Sequence, residues 1–264
     1  MRTFVDHTGK FLSIPTTPKR IISLVPSITE LLFDLGLHDR VVGITKFCVH
    51  PDEWFRTKPR VGGTKNLNLS AIKILQPDLI IANKEENVKD QIEQLTKTYP
   101  VFTTVVDSVA SGVQMIKDVG AITNADHNAQ KIADEISENL KKQYLKDIRT
   151  LYLIWKDPFM AAGGDTFISD MMEYAGFRNA IHHIYRYPTI TEEDIKNINP
   201  EIILLSSEPY PFKEKHIQEL QSICPLAKTC VVDGEIFSWY GSRMRHAFNY
   251  FNILHNKISA YGTA

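Results

Sequence analysis

Residues 71–82, AIKILQPDLIIA, align without a gap to residues 194–205, DIKNINPEIILL. Ile72-Lys73 answers to Ile195-Lys196, Pro77-Asp78 to Pro200-Glu201, and an apolar run follows each. The correspondence continues: Ile92, Leu95, Pro100 and Val105-Val106-Asp107 find counterparts in Ile217, Leu220, Pro225 and Val231-Val232-Asp233. A single helix-Pro-strand match is ordinary grammar, because proline commonly follows a helix end. Two such units in the same order, at nearly one offset, predict two similar α/β lobes. A chain of 264 residues is long enough to give each lobe its own core.

Between the repeats runs a stretch that reads as one helix, residues 124–146, NADHNAQKIADEISENLKKQYLK. Ala125, Ala129, Ile132, Ala133, Ile136, Leu140 and Tyr144 fall at the three-and-four spacing of one helical face. Asn124 is the expected N-cap, with Asp126 in the first turn and Lys141, Lys142 and Lys146 at the other end, as the helix dipole favours. About 22 helical residues would span roughly 33 Å. The plain reading is a surface helix; the flanking repeats favour a strut joining two lobes. The expected organisation is an N-terminal α/β lobe over 1–107, a helical connector over 108–148 containing the backbone helix 124–146, and a C-terminal α/β lobe over 149–264.

A net charge of -1 offers no global field for nucleic acid or an anionic membrane. No apolar run approaches the roughly 20 residues that span a bilayer. The opening MRTFVDHTGKFLSIPTTPKR lacks the apolar core of a signal peptide, so the chain is expected in the cytoplasm if it is the complete product. Cys48, Cys224 and Cys230 are too few for a disulfide framework and read as buried thiols.

Apolar runs near 21–25, 41–45, 79–82 and 101–106 alternate with helical patterns in the first half, which predicts a mostly parallel sheet. Residues 1–20 read as an extended arm, and Ser27 as an N-cap with Glu30 at capping-box spacing. The pattern restarts with strands near 150–155, 202–206 and 229–232. Open α/β sheets hold ligands beyond the carboxyl ends of their strands. The loops there gather aromatics and cations: Phe47, then Lys65 and Asn66 after Gly62-Gly63, then Lys84. In the second half they are Trp155 and Phe159, then Tyr187, then Trp239, Arg243 and Arg245. Aromatic faces supply contact area, and Lys or Arg supply anion recognition. The plain alternatives are loop packing for Trp155 and Phe159, a hydrophobic staple for Trp239-Tyr240, and a solvated helix start for Arg243 and Arg245. Gly62-Gly63 lacks the spacing of a phosphate loop. Cys48 and His50 could hold a soft metal only with help from elsewhere, and no HExxH, CxxC or GxSxG run occurs, so no catalytic residue, resident metal or cofactor is expected.

The runs RIISLVPSITELLFDLGLHDRVVGIT, HP, RVGGTKNLNLSAIKILQPDLIIA and ITEEDIKNINPEIILL make the chain similar to the helical-backbone substrate-binding proteins of ABC transporters, which bind cobalamin and iron chelates. The resemblance reaches from about residue 20 to 258. It implies the class III periplasmic-binding-protein fold: two Rossmann-like lobes joined by one long backbone helix. It implies a corrinoid or an iron chelate (siderophore or haem) held in the cleft between the lobes, an ABC permease as partner, a monomer, and a periplasmic location. Family pocket positions fall on Trp155, Phe159, Tyr187 and the Ser-Arg of Gly241-Ser242-Arg243, while two aromatic positions of the cobalamin-binding member carry Thr64 and Asn83. Docking on the permease falls on Glu193 and on Ser70, which carries no charge. A rival expectation is a cytoplasmic tetrapyrrole- or metal-handling enzyme or chaperone on the same scaffold, needing Cys48 or His50.

Overall fold

A computed structural model describes residues 1–141 and 147–260. The chain divides into two units: one comprises Met1–Val106, Ala110–Ser137 and Tyr240–Arg243, the other Asp107–Val109, Glu138–Trp239 and Met244–Ala264.

The first unit opens with a hairpin of β1 (Arg2–Val5) and β2 (Phe11–Ile14), where an extended arm is expected from the sequence. Asp6 holds the turn: its Oδ1 accepts from the Thr8 and Lys10 amides. Next come β3 (Ile21–Ser23), α1 (Pro26–Asp34), β4 (Val41–Ile44), α2 (Asp52–Thr57), α3 (Leu69–Leu75), β5 (Leu79–Asn83), α4 (Lys89–Thr96) and β6 (Val101–Thr104). The sheet is wholly parallel, in the order β4-β3-β5-β6. Strands β3, β5 and β6 are buried at every position, as a sheet covered on both faces requires. Ile22, Leu24, Val61, Ile72, Ile80 and Ile92 share one apolar cluster. Each such side chain contributes about 1.5–3 kcal/mol on burial. Ser27 does not cap α1. The N-cap is Val25, no side chain caps it, and Pro26 begins the helix, where a missing N–H costs nothing.

Helices α5 (Val109–Thr123) and α6 (Asp126–Leu140) follow. Asn124 closes α5 instead of capping α6. It sits at φ 57°, its N–H donates to the Ala121 carbonyl, and the Ala125 N–H reaches back to Gly120. That bond pair is the Schellman arrangement. A Cβ on Gly120 would lie 2.3 Å from the Ala129 Cβ, so only glycine lets the two helices pack this closely. The described part of α6 is 15 residues, about 22 Å long. Lys142, Tyr144 and Lys146 of the expected helix lie outside the described residues. The division between the units falls inside α6, between Ser137 and Glu138.

The second unit contains β7 (Ile148–Trp155), β8 (Phe159–Ala161), α7 (Phe167–Tyr174), β9 (Phe177–Asn179), β10 (Thr189–Ile190), α8 (Glu192–Ile198), β11 (Ile202–Ser206), α9 (Glu214–Ile223), β12 (Lys228–Val232), α10 (Gly234–Ser238) and α11 (Met244–Ala260). Its sheet is mixed. Strands β7, β11 and β12 run parallel, β8 and β10 add antiparallel, and β9 pairs with the start of β7.

The internal repeat survives in atomic detail. Helices α3 and α8 both end in a left-handed residue, Gln76 at φ 43°, ψ 61° and Asn199 at φ 45°, ψ 61°. Proline follows each. Arg20 Nη2 donates to the Leu75 carbonyl at 2.6 Å, covering an end of α3 that has no intrahelical donor. Arg149 does the same for α8, donating to the carbonyls of Ile198 and Asn199. Asp78 accepts the Arg20 backbone N–H at 2.8 Å, and Glu201 accepts that of Arg149 at 2.9 Å. Each unit thus carries the same latch of arginine, acid and proline.

Candidate functional site

In the first unit the strand-end loops expose the expected cations. Phe47 is half exposed and Lys46 Nζ stands 5.0 Å from its ring centre. A depression of about 750 Å³ brings Phe47, Lys65 and Asn66 together, and Ser70 lies on it as well. Gly62 and Gly63 line it. Gly62 adopts φ +97°, and a Cβ there would strike the Asn66 carbonyl at 2.5 Å. Lys65 Nζ donates to the Glu85 carbonyl. Lys84 is exposed beyond the end of β5. Thr64 and Asn83, standing where aromatics are expected in a cobalamin binder, are both buried. Asn83 Nδ2 donates to Thr104 Oγ1 at 3.1 Å, and its Oδ1 accepts from the Glu85 and Glu86 amides. Its amide therefore shapes the loop from within.

Arg243 belongs to the Tyr240–Arg243 stretch of this same unit. Its Nε and Nη2 donate to the two Glu30 oxygens at 2.9 and 2.8 Å, a fork-to-fork pair with 13% and 18% of the side chains exposed. The expected ligand cation is thus engaged by a carboxylate of α1. Gly241, at φ +105°, brings the stretch close to α1, where an added Cβ would lie 3.3 Å from the Ser27 carbonyl.

Cys48 is fully buried against the hydroxyls of Thr29 and Thr45, at 3.0 and 3.1 Å. Burial pushes its thiol up, so it stays protonated. A sulfur enclosed at 0% exposure between two threonine hydroxyls does not present itself for a shared metal with His50. Among the described residues no cluster of three metal-ligating side chains occurs.

In the second unit Trp155 ends β7 with 40% of its surface exposed, edge-on to Tyr210 at 5.5 Å. Tyr210 in turn contacts Phe212 and His216, at 4.7 and 5.6 Å. Tyr210 escapes the sequence reading, although a proline-aromatic run between β11 and α9 is its signal. Phe159 is buried in the core with Leu153, Ile190 and Ile203, because β8 pairs with β7. Tyr187 is half-buried beside Arg186. Trp239 is also buried, its Nε1 donating to Glu208 Oε1 at 2.7 Å. Burial pushes the Glu208 carboxyl up, while the Ser238 and Trp239 donors draw it back. Glu208, Asp233 and Glu235 line an acidic depression of about 490 Å³ beyond β11 and β12. Arg245 is half-buried and its carbonyl accepts from Asn139 Nδ2. Glu193 is exposed in the first turn of α8.

The periplasmic binding protein family matches residues 21–228. This chain belongs to that family. An uncharacterised ABC transporter substrate-binding lipoprotein of Bacillus subtilis (strain 168), YvrC, is 30% identical over 76% of this chain and 68% of its own length. The vitamin B12-binding protein of Vibrio cholerae (strain O395) is 25% identical over 77% of this chain and 76% of its own. Among solved structures, the periplasmic haem-binding protein RhuT of Roseiflexus sp. RS-1 superposes with a TM-score of 0.78 at 20% identity, covering 91% of this chain and 99% of the other. The α/β architecture is that of a class III periplasmic binding protein, and the family is one of binding proteins.

Proposed function

We propose that this chain is the solute-binding component of an ABC importer and that it captures a corrinoid or an iron chelate. The observation that carries the reading is the open face of Trp155 at the end of β7, braced edge-on by the half-buried Tyr210. A large exposed indole braced by a second ring suits a broad, flat or ring-bearing ligand. The relatives named for vitamin B12 and the neighbour named for haem support a ligand of that class. Phe47, Lys65, Asn66 and Lys84 of the first unit, and Tyr187 of the second, are the accompanying contacts. The cargo is handed to a permease that meets Glu193, with Ser70 as the uncharged counterpart, and the protein works as a periplasmic monomer.

Tryptophan fluorescence tests this reading. Trp54 is fully buried, Trp239 nearly so, and Trp155 half exposed. Titration with cyanocobalamin, cobinamide, haemin and ferric siderophores is expected to give saturable one-to-one quenching by one class. Trp155→Phe should remove most of that quenching and weaken binding about tenfold. Silence across the panel would sink the reading.

A further inference from the structure

The order β4-β3-β5-β6 makes β3 and β5 neighbours whose onward connections leave in opposite directions, β3 to β4 and β5 to β6. The crevice beyond the carboxyl ends of such a pair is where open α/β sheets hold ligands. Asn87 ties its rim together. Its Nδ2 donates to the Leu24 carbonyl at 3.3 Å and the Thr64 carbonyl at 3.1 Å, and its Oδ1 accepts the Asn83 amide at 2.9 Å. Asn83 Oδ1 accepts the amides of Glu85 and Glu86. The backbone of residues 83–87 is thereby pinned at both ends, which fixes where Glu86 stands.

The Glu86 side chain is half-buried there, and among the described residues no donor or cation pairs with its carboxyl. The charges that act on it are Lys65, whose Nζ donates to the Glu85 carbonyl, and Glu85 itself. Burial pushes the Glu86 carboxyl up, Lys65 draws it back and Glu85 adds to the rise. A half-enclosed carboxyl without a donor is costly until something supplies one.

We infer that Glu86 selects the ligand in the first unit: its carboxyl accepts a hydrogen bond from an N–H donor, a carboxamide on the rim of a metal chelate. The inference rests on the solute-capture reading and narrows it. A corrin rim carries carboxamides, which donate hydrogen bonds to a carboxyl oxygen, whereas a haem rim carries ionised carboxylates, which have no proton to donate to Glu86; the neighbouring Lys65 ammonium is engaged by the Glu85 carbonyl. The amide-rimmed chelate is the fitting cargo.

The test measures Kd on the intact chain for cyanocobalamin and for haemin. The wild type is expected to prefer cyanocobalamin. Glu86→Leu should weaken that ligand about tenfold, and Glu86→Gln, which keeps an acceptor oxygen, should recover most of the loss. Haemin affinity should stay level or rise in the leucine variant. Wild-type preference for haemin, or equal cyanocobalamin affinities in wild type and Glu86→Leu, would overturn the inference and leave solute capture standing. Binding of neither these chelates nor the siderophores would overturn both. If the leucine variant does not fold, carbon-13 NMR of the wild type decides. The Glu86 carboxyl should titrate above the ordinary glutamate range and move when cyanocobalamin is added; a carboxyl indifferent to the ligand rejects the inference.

Discussion

Arg243 and Glu30 are 213 positions apart, and nothing local in the sequence announces their meeting. Cations at the start of α11 oppose its dipole, which from sequence alone argues for an anionic ligand; the anion is Glu30. Arg243→Ala is therefore expected to lower unfolding free energy by about 1–3 kcal/mol, read by urea denaturation. Pairing it with Glu30→Ala should restore part of the loss, because the stranded carboxylate goes too. Unchanged stability with lost ligand affinity would return Arg243 to the ligand. His7 offers a second residue-scale test. Its Nε2 lies 3.0 Å from Asp118 Oδ2, and that hydrogen bond raises the imidazole above its usual value near 6.5. Burial alone would raise the Asp118 carboxyl, but the His7 and Gln114 bonds outweigh it and hold it below its usual 3.8. The folded state therefore binds the His7 proton more tightly than the unfolded chain does. The pair's full contribution is present below pH 6.5 and is lost as pH rises through the raised His7 value. On the acid side it is lost as pH falls through the lowered Asp118 value. Melting curves from pH 4 to 9 should show this alkaline loss, and His7→Gln should flatten it.

At the scale of elements, the proline-marked ends of α3 and α8 match the sequence signal, whereas the expected N-caps Ser27 and Asn124 do not cap. The Pro77 and Pro200 stops are local signals, and α3 and α8 end just before them. Gln76 nevertheless occupies a left-handed conformation that asparagine tolerates better. Gln76→Gly should raise stability by about 1 kcal/mol in a thermal melt, and Asn199→Gly by less. A loss at Gln76 would mean that its side chain does more than end a helix. What escaped the sequence was short or depended on a distant strand. The hairpin β1–β2, the single-turn helices α2 and α10, and strand β8 each lack the length over which a period can be read. Phe159 illustrates the cost: it looks like a loop aromatic until β8 pairs with β7 and turns it inward. Trp155, two positions past the register's last regular pair, keeps an open face.

For the whole molecule, the duplicated grammar was enough to anticipate two α/β units, since helix, proline and strand recur at fixed steps in both. The site was less legible. Exposure separates Phe47 and Trp155 from Trp239, and exposure is set by packing that the sequence does not print. The two units share the latch that ends α3 and α8, yet their strand-end loops carry opposite charge, lysines around Gly62-Gly63 and carboxylates around Glu208. The proposed docking on a permease belongs to this scale as well. Glu193→Gln should weaken stimulation of the importer's ATPase, whereas Ser70→Glu, which supplies the missing charge, should strengthen it. No response from either would remove both positions from the interface.

The first unit is completed by Tyr240–Arg243, a stretch that follows most of the second unit in the chain. A ribosome delivers Glu30 early and Arg243 late, so the carboxylate waits through most of synthesis without its counterpart. Cutting the chain inside α6 would not release an intact first unit, because the fragment would lack the piece that closes on α1. The order of manufacture and the order of closure are different in this protein.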